Sequence, residues 1–266
     1  MGVAAVVAGA VAVAVAVALS VAPSPSRSPR QPPGTVLFSD SFDGGQWCEY
    51  NRVQNRFFSK PACKYHDQSY ALRHDGGAAR FEVRPGDAIG GGLGSGERSE
   101  ISQDSASWQA QEGDEWSVVE RLRLSKDFIS GRWTIITQFH SGSGSPPLSL
   151  QVAQNGALVL ASGGPAGDAN RAAGKGDRVL VQAAAFRAMR GEWFEVSLHV
   201  RWSSSARTGG TEAYINGSLV APWRPQQTMA SSRNYWKAGI YRAPTDTTQV
   251  LWLDHVVIST LPAPGP

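Results

Sequence analysis

Three observations predict an all-β fold, a two-sheet antiparallel jelly-roll sandwich. From Thr35 onward apolar residues recur with a period near two. About every ten residues these runs are broken by Gly, Asn, Asp or Pro, the residues that turn a chain. Helical periodicity is scarce, so the short strands must pack face to face to bury a core.

In chain order the expected strands are TVLFSDSF (35–42), AARFEVRP (78–85), WSVVERLRL (116–124), RWTIITQFH (132–140), LSLQVAQ (148–154) and ALVLAS (157–162). They continue with RVLVQAAAF (178–186), WFEVSLHVRW (193–202), TEAYI (211–215), KAGIYRA (237–243) and QVLWLDHVVIST (249–260). Each is rich in β-branched or aromatic residues. In AQNGALVL and YINGSLV an Asn-Gly pair stands between apolar runs, a strong hairpin signal. The glycine cluster in IGGGLGSGERSE lacks GK[ST] and leads into no helix, so it reads as a turning loop before a strand.

At 266 residues with 41% hydrophobic content, the chain can bury a full-sized core. Residues 35–262 read as one domain. Ahead of them, residues 1–22 are uncharged and mostly apolar, as in a secretory signal peptide, and 23–34 read as a Pro/Ser-rich tether. The alternative for 1–22 is an uncleaved N-terminal anchor, since no Lys or Arg precedes the run. Either way the folded part is expected outside the cytosol, as a secreted monomer. Cys48 and Cys63 are then expected to form a disulfide, with a pair of buried thiols as the alternative.

The formal net charge is +3, and Arg27 and Arg30 of the tether leave +1 for the rest. That excess gives no reason to expect a nucleic-acid partner. An acidic ligand would have to be held by local cations.

Three segments place polar groups at alternate positions of a strand. Arg98 and Glu100 share a face in GERSEIS, Gln138 and His140 in TIITQFHS, and Lys237, Gly239 and Tyr241 in YWKAGIY. Each alone fits a half-wet strand or a surface ion pair. Together a cation, an amide, an imidazole and a phenol suit β-elimination across a uronic acid linkage. The proton at C5 becomes acidic only when the charge of the adjacent carboxylate is offset. A base then removes it and an acid protonates the departing O4. The reaction requires no metal or other cofactor.

The same segments resemble the three active-site strands of the alginate-lyase and heparin-lyase-I-like polysaccharide lyases, whose patterns run R-S/T-E, Q-x-H and Y-x-K-x-G-x-Y. The matches are Arg98-Ser99-Glu100, Gln138-Phe139-His140 and Tyr235 to Tyr241. The resemblance implies a concanavalin-like jelly roll and an acidic polysaccharide as substrate. It implies Arg98 and Gln138 as carboxylate neutralisers, His140 as base or neutraliser, and Tyr241 as acid or as both acid and base. Lys237, Glu100, Arg242 and an early glutamine matched to Gln46 would hold the substrate. The ending GIYR and the absence of GxYNQ favour glucuronan or a heparin-like chain over alginate. Some relatives carry calcium, for which Asp254 is the candidate here, although an Asp capping a strand near a turn is the plainer reading.

Two rival readings fit the same residues. A glycoside hydrolase on the same fold would need two carboxylates about 5 Å apart. The nearest pair, Glu115 and Glu120, falls on opposite strand faces. A non-catalytic carbohydrate-binding module could stack sugars on some of the nine Trp residues, including Trp47, Trp108, Trp202, Trp223 and Trp236.

Overall fold

The computed structural model describes residues 34–67, 70–89, 96–104, 109–142, 144–162, 177–230 and 233–261. The expected leader (1–22), the tether up to Pro33, most of the glycine cluster and Trp108 lie outside them. The described chain is a sandwich of two antiparallel sheets.

The first sheet is built from β1 (Val36–Asp40), β4 (Leu72–His74), β5 (Ala79–Val83), β7 (Glu115–Leu124), β12 (Phe194–Arg201), β13 (Gly210–Ile215), β14 (Ser218–Pro225) and β16 (Gln249–Thr260). Its order is β14-β13-β12-β7-β16-β5-β4, with β1 beside β16. The second sheet contains β2 (Arg52–Asn55), β3 (Ser59–Lys60), β6 (Glu97–Gln103), β8 (Trp133–His140), β9 (Leu148–Ala153), β10 (Leu158–Ser162), β11 (Arg178–Val181) and β15 (Tyr235–Arg242). Its order is β11-β10-β9-β8-β15-β6-β2-β3, which brings the three motif strands side by side.

Alternation explains the core. Val118, Leu122 and Leu124 of β7 and Val196, Leu198 and Val200 of β12 are buried, with more exposed residues between them. From the second sheet Ile101, Phe139, Leu148, Trp236 and Ile240 join the same cluster. Burying one such aliphatic or aromatic side chain stabilises the fold by about 1.5–3 kcal/mol.

The Asn216-Gly217 turn between β13 and β14 has φ of 49° and 75°, the two positive angles a two-residue hairpin of this twist requires. At Asn155-Gly156 only Gly156 is left-handed, at 87°. Cys48 and Cys63 are disulfide-bonded.

One expected strand is half wrong. RVLVQAAAF continues past β11 into a helix, α1 (Ala183–Met189), because its alanine run favours helix and Phe186 packs against Phe194 at 5.6 Å. Strands β2, β3 and β4 are too short and polar to show a period. Strand β14 runs through Pro222, where its register with β13 shifts, and its edge position tolerates the missing donor.

Candidate active site

The register of β6, β15 and β8 assembles the site. Arg98 stands opposite Tyr241, Glu100 opposite Gly239 and Ser102 opposite Lys237. On the other side of β15, Lys237 pairs with Gln138 and Tyr235 with His140. Arg98, Gln138, His140, Lys237 and Tyr241 therefore line one cavity of about 210 Å³, completed by Trp133, Gly144, Ser145 and Pro146.

Strict alternation along β8 would not allow this lining. Trp133 precedes Gln138 by five positions, so a regular strand would turn them to opposite faces. The pairing of β8 with β9 slips between Ile135 and Thr137, and with β15 between Ala238 and Tyr241. Against β9 the extra residue is Ile136, which is buried in the core, whereas against β15 the extra residue lies on β15; the bulge lets both halves of β8 face the cavity.

A buried carboxylate organises the floor. Glu100 accepts hydrogen bonds from Lys237 Nζ at 2.8 Å and from Gln138 Nε2, and Arg98 Nη1 lies 3.5 Å away. Burial alone would raise its pKa. The charges of Lys237 and Arg98 and the two hydrogen bonds outweigh that and hold it below the usual carboxylate range. Its partner strand is glycine at the facing position for a steric reason: Gly239 has φ of 125°, and a Cβ there would lie 2.2 Å from the Ser99 carbonyl oxygen.

Tyr241 is held by stacking. The Arg98 guanidinium carbon lies 3.9 Å from its ring centre, and Trp133 meets the ring edge-on at 4.8 Å. Gly96, at φ of 70°, passes close behind; a Cβ there would approach the ring to 2.5 Å. His140 closes the other end. Burial, then the charge of Lys237, lowers its pKa, so it is neutral at neutral pH. Its Nδ1 accepts the Gly142 N–H at 2.8 Å, which leaves the ring proton of the neutral form on Nε2.

Four expected substrate ligands are placed elsewhere or otherwise engaged. Arg242 faces away from the cavity, fully buried and ion-paired with Glu97 at 2.8 Å. Glu100 lies beneath the floor and outside the lining. Lys237 lines the cavity, but its ammonium is committed to Glu100. Gln46 is exposed in the loop before Trp47 and is not part of the lining. Asp254, the calcium candidate, sits mid-strand at a bulge of β16 and pairs with Arg121. Among the described residues no group of three or more His, Cys, Asp or Glu side chains is arranged to hold a metal.

Sequence reasoning missed Trp133, whose face the bulge disguises, and the Gly144-Ser145-Pro146 turn, which has no period to read. It also missed Arg52, exposed on β2 opposite Ser102 and near enough for its charge to act on Lys237 and Tyr235.

The rivals fare poorly on this geometry. No carboxylate lines the cavity among the described residues, so the pair that hydrolysis needs is missing there. Glu115 faces outward against His199, and Glu120 lies in the core. Trp47, Trp202 and Trp236 are buried and offer no stacking platform; Trp223 is 40% exposed.

Comparison with known proteins agrees. A search of curated proteins finds no match. Among solved structures, an alginate lyase of polysaccharide lyase family 7 is similar at 16% identity and TM-score 0.52, over 75% of this chain and 86% of that one. An alginate lyase from Pseudomonas aeruginosa is similar at 19% identity and TM-score 0.50, over 73% and 87%. The catalytic domain of an endo-1,3-β-glucanase (laminarinase) from Thermotoga petrophila is similar at 11% identity and TM-score 0.53, over 85% and 97%. These likenesses show the jelly-roll fold, which lyases and a hydrolase share. The family itself is shown by the match of residues 42–257 to the model described as polysaccharide lyase: the chain belongs to the polysaccharide lyase family.

Proposed function

We propose that this polysaccharide lyase cleaves a 4-O-linked uronate polymer by syn β-elimination, with Tyr241 as both base and acid. The observation that carries the proposal is the register pairing of Arg98 with Tyr241 beside Gln138 and His140 around one cavity. Arg98, Gln138 and the Nε2–H of His140 would bind the C6 carboxylate and offset the charge that grows there. The Tyr241 phenolate takes the C5 proton, with the Arg98 guanidinium as its countercharge. The electron pair forms the C4–C5 double bond as the C4–O4 bond breaks. Tyr241 returns the proton to O4, leaving a new hydroxyl end and a 4,5-unsaturated uronyl end.

The syn course rests on His140. Its Nδ1 is occupied by the Gly142 N–H, so the neutral ring is set up to donate from Nε2, whereas an anti base would need a free lone pair. Syn elimination fits uronates whose C5 proton and O4 lie on the same side, as in glucuronate and mannuronate. Glucuronan, or the glucuronate units of a heparin-like chain, is our first choice from the GIYR ending, and mannuronate-rich alginate is the competing substrate. The disulfide supports the reading of an exported protein, with 1–22 as its leader, 23–34 as a tether and 35–262 as the catalytic domain.

The test offers glucuronan, heparin, heparan sulfate, polymannuronate and polyguluronate to the purified protein and follows the ultraviolet absorbance of the unsaturated uronate. A rise with glucuronan or polymannuronate is the expected result. Turnover of polyguluronate alone, or of iduronate-rich heparin without heparan sulfate or glucuronan, would overturn the syn assignment, and reducing ends without absorbance would overturn elimination.

A further inference from the structure

One buried acid takes no part in the chemistry above. Glu120, in the middle of β7, is 1% exposed and points across the sandwich toward the sheet that carries the cavity. It accepts the indole Nε1–H of Trp236 at 2.6 Å and the Thr137 hydroxyl at 2.8 Å. Burial raises its pKa, against the two hydrogen bonds it accepts. Such a group costs free energy to bury, so it weakens the fold unless its hydrogen bonds secure something a hydrocarbon could not.

Its two partners are the inward residues beside the floor of the cavity. Thr137 precedes Gln138 at the bulge of β8, and Trp236 precedes Lys237 on β15. Gln138 and Lys237 in turn donate hydrogen bonds to Glu100. A bulge is a place where a strand can slip, and a slip of one residue exchanges the faces of all that follows. Val or Leu in place of Glu120 would fill the core but would leave Thr137 free to shift.

We propose that Glu120 is a positioning residue: by binding Thr137 and Trp236 from the opposite sheet it fixes the β8 bulge and the β8–β15 register, and so holds Gln138 and Lys237 on Glu100. This rests on the elimination chemistry proposed above. It gives Glu120 a role in turnover that a merely stabilising core residue would not have.

The test compares Glu120→Gln, Glu120→Leu and Thr137→Val with the wild type, on whichever uronate polymer the wild type cleaves. Glutamine can accept from Trp236 and donate to the Thr137 oxygen, so Glu120→Gln should keep kcat within about threefold. Glu120→Leu should lower kcat by about tenfold or more at nearly unchanged KM, in protein whose near-ultraviolet circular dichroism is native. Thr137→Val removes one contact at constant shape and should lower kcat in the same manner if Glu120→Leu does not fold. Wild-type kcat in folded Glu120→Leu or Thr137→Val would overturn the inference. An inactive wild type would instead count against the elimination chemistry, so the two failures are told apart.

Discussion

Arg98 and Tyr241 face each other across two hydrogen-bonded strands, and the guanidinium carbon sits 3.9 Å from the centre of the phenol ring. A cation over an aromatic face is an attraction worth about 0.5–2 kcal/mol, depending on how far it is desolvated. At this position it does two jobs: it fixes the ring against Trp133 and places positive charge where a phenolate and a substrate carboxylate would both meet it. Structure and chemistry thus depend on one contact.

Tyr241→Phe keeps that stacking and removes only the hydroxyl. Its kcat should fall by about 10³-fold, the usual scale of a lost general acid or base. Binding of the polymer, measured by titration with an oligosaccharide, should change little. Turnover within tenfold of wild type would show that another group moves the proton.

Arg98→Lys keeps the charge and loses the planar fork. A lysine cannot both stack on Tyr241 and hold a carboxylate side-on, so kcat should fall by about 10²-fold, while Arg98→Ala should fall further. Equal activity of Arg98→Lys and wild type would mean that the charge alone suffices.

Much of this site was legible in the sequence because it lies on strands. Arg98, Gln138, His140 and Tyr241 fall where a period of two puts them, and the register joins them in one cavity. The same rule places Arg242 on the face opposite Tyr241, and the structure agrees; likeness to relatives was the poorer guide there. What alternation could not reveal is the bulge at Ile136, which depends on pairing with neighbouring strands and moves Trp133 into the cavity. Nor could it show that Glu100, on the correct face, folds down to bind Lys237 in place of substrate. The helix Ala183–Met189 was hidden in a run whose first half is a strand.

Glu100→Gln tests that buried pair. The substitution leaves the Lys237 ammonium buried without a counter-ion, which should cost about 3–5 kcal/mol in urea unfolding. The wild-type contribution of Glu100 has a defined pH sign. Its folded pKa is depressed below 4.5, so its stabilisation is fully present above the unfolded value and is lost as pH falls through the folded one. Glu100→Gln should therefore lose less stability on acidification than the wild type does.

Glu120 should behave in the opposite sense. Burial raises its pKa from 4.5 to about 7, against the two hydrogen bonds it accepts. Between those values the folded protein keeps a proton that the unfolded chain releases, so stability falls as pH rises across that window. The loss reaches about 3 kcal/mol at the upper end, since each pKa unit corresponds to about 1.4 kcal/mol. Glu120→Gln abolishes the titration while keeping the hydrogen-bonded shape, so its unfolding free energy should become flatter across the same range and exceed that of the wild type most near neutral pH. A wild type and a Glu120→Gln variant with parallel stability profiles would mean that the carboxylate enters the core already charged, its ionisation offset by Trp236 and Thr137 alone.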